Sequence, residues 1–272
     1  MKIWVDGTIS EVGAGRLSPL DHGFTVGDGV FETCKVVDGK AFALTRHLAR
    51  LQRSANGLAL PDPDEEMIRA GIDQILTAEP DAGRLRITYT GGPGPLGSDR
   101  GDEGTTLVLA VSAGGTWEPS TKVAVVPWIR NERSAVAGLK TTSYAENVVA
   151  LASAHDRGAS EAIFANSRGE LCEGTGSNIF VVVDGDLLTP PLRSGCLAGI
   201  TRELVIEWTG AAEVDLDMEV LDSASEAFLT SSTRDVQPIH AIDDRELTDV
   251  PGPVSTKARD VFRDRSGAQL DP

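Results

Sequence analysis

Two periods of apolar and polar residues run through this chain. Short stretches of strand type meet at Asp-Gly pairs: KIWV before Asp6-Gly7, FETCKVV before Asp38-Gly39, and NIFVVV before Asp184-Gly185. Asp-Gly tolerates the positive φ angles of a type I′ turn, so each pair predicts a β-hairpin. Leu44, Leu48, Leu51 and Ala55 follow the helical period instead and predict a helix over Thr45–Gly57, with Thr45 as its N-cap. Arg46, Arg50 and Arg53 share the opposite flank, the usual pattern of a solvated face. A second helix, DPDEEMIRAGIDQILTAE, follows Pro61 and carries acidic residues in its first turn, where the helix dipole favours them. RLRITYT, TTLVLAV and TKVAVVPW read as strands, the first two separated by the glycine-rich loop GGPGPLGSDRG.

The stretch AGGTWEPST, Ala113 to Thr121, is the natural joint, because hairpins give way there to alternating helices and strands. The expected organisation is an N-terminal α+β domain over 1–116, a connection over 117–127, and an α/β domain over 128–272 that contains Lys140. The second domain would place helix SYAENVVALASAHDRG before strand EAIFAN, then the third hairpin, helix TRELVIEWTG, strand EAFLTSS and a last helix after Pro253.

Charge narrows the partners. With 41 acidic against 25 basic residues the formal net charge is −16, which repels nucleic acid and anionic membranes. The three cysteines, Cys34, Cys172 and Cys196, are widely spaced and form no CxxC pair. That pattern suits a reducing cytosol and offers no metal-binding signature. No apolar run reaches spanning length and the first residues lack a signal-peptide core, so a cytoplasmic location is expected.

Four features could do chemistry. Lys140 follows the small-residue run SAVAG within GLKTTSYAEN. A lysine taken out of water loses basicity, and its neutral amine can form a Schiff base with a carbonyl or with pyridoxal phosphate. Glu173 precedes a strand of fully buried type, where a carboxylate needs a cationic partner; a protonated pyridine nitrogen is one such partner. GCLAGITREL puts Ile200 and Thr201 at a helix start, where unpaired amides attract an anion. FLTSSTRDV ends a strand in consecutive hydroxyls, Thr230 to Thr233.

Taken in order, DHGFTVGDGVFET, HLARL, GLKTTSYAEN, LCEGTGSNIFVV, GITREL and LTSSTRDVQPI resemble the class IV aminotransferases, the fold type IV pyridoxal-phosphate enzymes. The family includes branched-chain aminotransferases, D-amino acid transaminases and 4-amino-4-deoxychorismate lyases. The resemblance implies two α/β domains, a homodimer, and pyridoxal 5′-phosphate as cofactor. It implies Lys140 as the Schiff-base lysine, Glu173 as partner of the pyridine nitrogen, Arg50 as a phosphate-binding arginine, the Ile200–Thr201 turn as a phosphate cradle and Ser232 as a phosphate-binding hydroxyl. Thr233 falls near the substrate carboxylate.

The wording NERSAVAGLKTTSYAEN is most similar to the aminodeoxychorismate lyases, which implies release of pyruvate and formation of 4-aminobenzoate for folate synthesis. The alternative is a transaminase of D- or branched-chain L-amino acids with a 2-oxo acid acceptor. One departure stands out. Many relatives carry a carboxylate-binding arginine after the strand RLRITYT, and Gly91 occupies that position here. Arg130, Arg133 and Arg100 are the candidates to replace it. Phe31, where D-amino acid transaminases tend to have tyrosine, also departs from that branch.

Overall fold

All three Asp-Gly pairs adopt left-handed backbone: φ is 42° and 92° at Asp6 and Gly7, 49° and 72° at Asp38 and Gly39, and 53° and 90° at Asp184 and Gly185. Each joins an antiparallel pair as its residue types require. The computed structural model describes Met1–Pro272 and divides the chain into two units. One is Met1–Gly115 with Leu139–Tyr144 and Leu270–Pro272; the other is Thr116–Gly138 with Ala145–Gln269.

The first unit contains β1 (Lys2–Val5), β2 (Thr8–Glu11), the single turn α1 (His22–Thr25), β3 (Gly29–Val37), β4 (Lys40–Ala41), α2 (Leu44–Gly57), α3 (Glu65–Ala78), β5 (Arg84–Thr90) and β6 (Thr106–Ser112). Its sheet, ordered β2-β1-β6-β5-β3-β4, is antiparallel throughout. Leu48 and Leu51 of α2 and Ile68, Ile72 and Ile75 of α3 join Leu85, Ile87 and Leu109 of the sheet in one core. Each such buried side chain contributes about 1.5–3 kcal/mol.

The N-terminus of α2 differs from expectation. Its cap is Ala43, with left-handed backbone and no side-chain bond. Thr45 lies inside the helix and its amide and hydroxyl donate to Asp271, at 3.0 and 2.6 Å. A carboxylate from the C-terminal tail thus meets the orphan donors, a partner invisible to local sequence.

The second unit contains β7 (Thr121–Arg130), α4 (Ala145–Asp156), β8 (Glu161–Asn166), β9 (Leu171–Gly174), β10 (Asn178–Val183), β11 (Asp186–Thr189), α5 (Ile200–Thr209), β12 (Ala212–Glu213), α6 (Val220–Ser223), β13 (Glu226–Ser231), β14 (Asp235–Ile242), β15 (Arg245–Glu246) and α7 (Pro253–Ala268). The sheet order is β12-β11-β10-β13-β14-β7-β8-β9, with β15 beside β14. It is mixed: β14 with β7, and β7 with β8, are parallel, while β10, β13 and β14 form an antiparallel run. Helices alternate with these strands, as an α/β domain requires.

Lys140 departs from its expected place in the C-terminal domain. Leu139–Tyr144 packs with the first unit. The end of β3 beyond β4 offers unpaired backbone groups, and this segment takes them. Phe31 donates its amide to the Lys140 carbonyl at 3.0 Å and Thr142 donates to Gly29 O at 2.8 Å. No helix is long and apolar enough to cross a membrane.

Candidate active site

In the first unit, alternation along β3 sends Val30, Glu32, Cys34 and Val36 into the helix-covered core and Phe31 to the other face. Glu32 is therefore a carboxylate on an apolar row, fully buried. Two α2 side chains one turn apart meet it. Arg50 donates through Nε and Nη2 at 2.8 and 2.6 Å, and His47 Nδ1 lies 2.7 Å from Glu32 Oε2. Burial alone would raise the Glu32 pKa; the charges and hydrogen bonds of Arg50 and then His47 outweigh it and hold the carboxyl well below its ordinary range. Burial lowers the His47 pKa, with Arg50 and Lys140 acting in the same direction. Facing a carboxylate, His47 Nδ1 is the donor in this contact. Arg50 is 4% exposed and faces Glu32, so the solvated flank expected for Arg46, Arg50 and Arg53 does not extend to it. Its guanidinium is oriented before any ligand arrives.

On the other face of β3 stands a second group. The Lys140 amine lies 4.3 Å from the Phe31 ring centroid and 5.8 Å from that of Tyr144. The two rings meet edge to face at 5.1 Å. The Arg86 guanidinium stacks on Phe31 at 3.6 Å. Lys140 is fixed through its backbone, its amide donating to Ser54 Oγ at 3.2 Å. Arg86 was not among the residues expected from sequence. Strand parity does place it opposite Leu85 and Ile87, but one strand alone does not reveal what covers that face.

Gly91 has a physical explanation. A Cβ there would lie 2.5 Å from Asp28 Oδ2. Asp28 grips Arg100 in a fork, at 2.6 Å to Nε and 2.7 Å to Nη2, and Arg100 also donates to Leu58 O at 2.7 Å. Any side chain at 91 would therefore press its first carbon against the Asp28 carboxylate. Arg100 is committed to this lock.

In the second unit Glu173 lies on β9 opposite Phe164 of β8. It is 9% exposed, and its Oε2 accepts the Leu197 amide at 2.9 Å. Arg130 Nε is 3.1 Å from Glu173 Oε1, an ion contact without the alignment of a hydrogen bond. Arg130 also donates to Glu146 at 3.1 Å and to Asn147 at 2.9 Å, and its guanidinium sits 4.4 Å from the Phe164 ring centroid. All three nitrogens of Arg130 therefore serve Glu173 and α4, which leaves it occupied by protein. Arg133 is exposed.

Leu197 leads into the start of α5. Gly199 is the N-cap and no side chain caps the helix. Ile200 and Thr201 are nevertheless buried, at 3% and 4% exposure. A Cβ on Gly199 would overlap Asn178 Oδ1, and Asn178 Nδ2 donates to Leu197 O at 2.9 Å. A helix start this buried, with no side-chain cap, is shaped for a small anion. Ser232 and Thr233 are half-buried in the turn joining β13 to β14, and the neighbouring Thr230 Oγ1 is buried without a partner.

Each unit by itself carries features of the type that pyridoxal phosphate needs: the first a lysine amine against aromatic rings, the second a buried carboxylate, a glycine-lined amide cradle and the hydroxyls of the β13–β14 turn. Residues 29–242 match the family model described as amino-transferase class IV. The chain is 32% identical to a Methanocaldococcus jannaschii protein that carries a provisional branched-chain-amino-acid aminotransferase name, over 97% of this chain and 96% of that protein. It is 30% identical to the bifunctional aminodeoxychorismate lyase / D-amino acid transaminase of Mycobacterium tuberculosis, covering 92% and 94%. Among solved structures, the branched-chain aminotransferase of Thermoproteus uzoniensis with norvaline superposes with a TM-score of 0.88 at 31% identity, covering 97% and 93%.

Proposed function

The chain belongs to the class IV aminotransferases, enzymes that depend on pyridoxal phosphate, and we propose that it moves the amino group of an apolar amino acid onto a dicarboxylic 2-oxo acid. The observation that carries this reading is Arg86 stacked on Phe31, the ring that Lys140 also approaches, while a Cβ at Gly91 would meet the Asp28 carboxylate. Transamination needs one site to accept two substrates in turn. Aromatic walls suit the apolar side chain of the first, and a cation on the same wall suits the distal carboxylate of the second. The similarity to branched-chain aminotransferases favours L-amino acids such as leucine, isoleucine and valine.

The cofactor supplies an aldehyde carbon that takes up amines and a ring that withdraws electrons from them. Lys140 would hold the cofactor through its Nζ amine, and the same amine, when free, would serve as the base that moves a proton at the substrate carbon bearing nitrogen. Glu173 would face the ring nitrogen, and the contacts of its carboxylate with Arg130 and the Leu197 amide aim it. The Ile200 and Thr201 amides, Ser232 and Arg50 would hold the phosphate. Thr233 and Arg86 orient substrate carboxylates. We also propose a homodimer, the assembly implied by the family resemblance; light scattering tests it.

The lyase reading, expected first from wording, stands second. It is supported by the similarity to the bifunctional mycobacterial enzyme. The experiment runs both assays on one preparation with added pyridoxal phosphate: L-leucine with 2-oxoglutarate, following glutamate, and aminodeoxychorismate, following 4-aminobenzoate. Glutamate formation supports transamination. Rapid 4-aminobenzoate without glutamate sinks it and restores the lyase.

A further inference from the structure

Glu161 is buried to 2% exposure on β8, and no step above uses it. A carboxylate this deep needs donors, and apart from the Ala162 amide at 3.1 Å its hydrogen-bond donors come from one turn. Thr175 gives its amide at 3.0 Å and its hydroxyl, and Ser177 gives its hydroxyl at 2.9 Å. Gly174, next to Glu173, has no room for a Cβ, which would meet Glu161 Cγ and Cδ at 3.0 Å. The turn after Glu173 is thus wrapped on Glu161.

A second turn is tied to the same place. Ser231 pairs with Asp235 across the β13–β14 hairpin, so its tip is only Ser232, Thr233 and Arg234. Asp235 has φ of 54°, the left-handed residue that closes a three-residue hairpin loop. Arg234 folds back from this tip. It donates to Ser160 Oγ and Ser160 O at 3.2 and 3.0 Å, to Gln237, and lies 3.8 Å from Glu161 Oε2. Its guanidinium also stacks on Trp117 at 3.8 Å. Three side-chain anchors and a ring hold one residue of a three-residue tip, and the other two carry the hydroxyls.

We infer that Arg234, with Glu161 behind it, is a positioning residue that fixes the Ser232–Thr233 tip as a phosphate-binding element. The inference rests on the cofactor reading above. It separates from general stability because Ser232 would meet the phosphate and Thr233 the substrate carboxylate, so neither tip hydroxyl would meet the ring.

The test measures binding of pyridoxal phosphate and of pyridoxal, which lacks the phosphate, to cofactor-free protein by fluorescence titration. R234M is expected to weaken pyridoxal phosphate about tenfold or more, the value of one or two hydrogen bonds to a charged group, while pyridoxal binding stays within about twofold. R234K keeps the charge without the planar fork and should fall between. Circular dichroism melting confirms that each variant is folded; should R234M not fold, R234K and E161Q carry the comparison. Equal weakening for both ligands, or no change for either, overturns the inference. Wild-type protein that binds neither ligand would instead strike at the cofactor reading, so the two failures are distinguishable.

Discussion

Replacing Glu32 with glutamine isolates the electrostatics of the first unit. Glutamine keeps the shape and one acceptor oxygen but leaves Arg50, at 4% exposure, facing a neutral group. Removing one member of a buried ion pair costs about 3–5 kcal/mol. The retained oxygen preserves one of the two Arg50 bonds, which points to the lower end, about 3 kcal/mol. Amides of α2 that exchange by opening of this unit should then exchange roughly a hundredfold faster. The pH dependence carries its own sign. The Glu32 pKa falls on folding, so its contribution is present above the unfolded value near 4.5 and is lost as pH drops below it. His47 is also lowered from 6.5, because burial favours its neutral form; acid again favours the unfolded chain, starting below about that pH. Wild-type protein should lose stability progressively from pH 6.5 downward and more steeply below 4.5. E32Q should lack the steeper limb. Exchange rates equal to wild type at neutral pH would show that the Arg50 charge does not depend on Glu32, and would refute the reasoning.

Borohydride reduction of the protein with pyridoxal phosphate should label Lys140 alone, and K140A should show neither label nor amino transfer by mass spectrometry and product assay. R86Q should raise KM for 2-oxoglutarate about tenfold or more, while leaving the leucine half-reaction near wild type in single-turnover measurements. G199A must displace Asn178; a loss of about 1–3 kcal/mol in thermal unfolding should accompany faster loss of cofactor on dialysis. D235G relieves left-handed backbone and should leave stability unchanged or higher by about 0.5–1 kcal/mol in urea unfolding.

Local patterns carried much of the fold. Three Asp-Gly turns, the spacing of Leu48 and Leu51, and the strand–helix alternation after residue 116 all correspond to observed elements. What escaped depended on partners distant in sequence. Thr45 has the chemistry of a cap, but Asp271 lies 226 residues away. Leu139–Tyr144 looks like the lead-in to α4, yet its backbone pairs with β3. Arg50 sits on the charged flank of its helix and is buried only because strand parity brings Glu32 beneath it. That parity was readable: FETCKVV places a carboxylate in register with Cys34 and Val36. Arg130 was legible as a cation near the chemistry, while its commitment to Glu173 required the pairing of β7 with β8 and of β8 with β9.

The lock of Asp28 and Arg100 around Gly91 also bears on how this chain could change. A side chain at 91 would press on Asp28 while the lock stands, and opening the lock with one substitution leaves a charged partner behind. Routes from this specificity to one that grips a carboxylate from position 91 therefore pass through intermediates worse than either end. Single-site scans would score Asp28, Gly91 and Arg100 each as immutable, whereas a library varying the three together could cross the barrier.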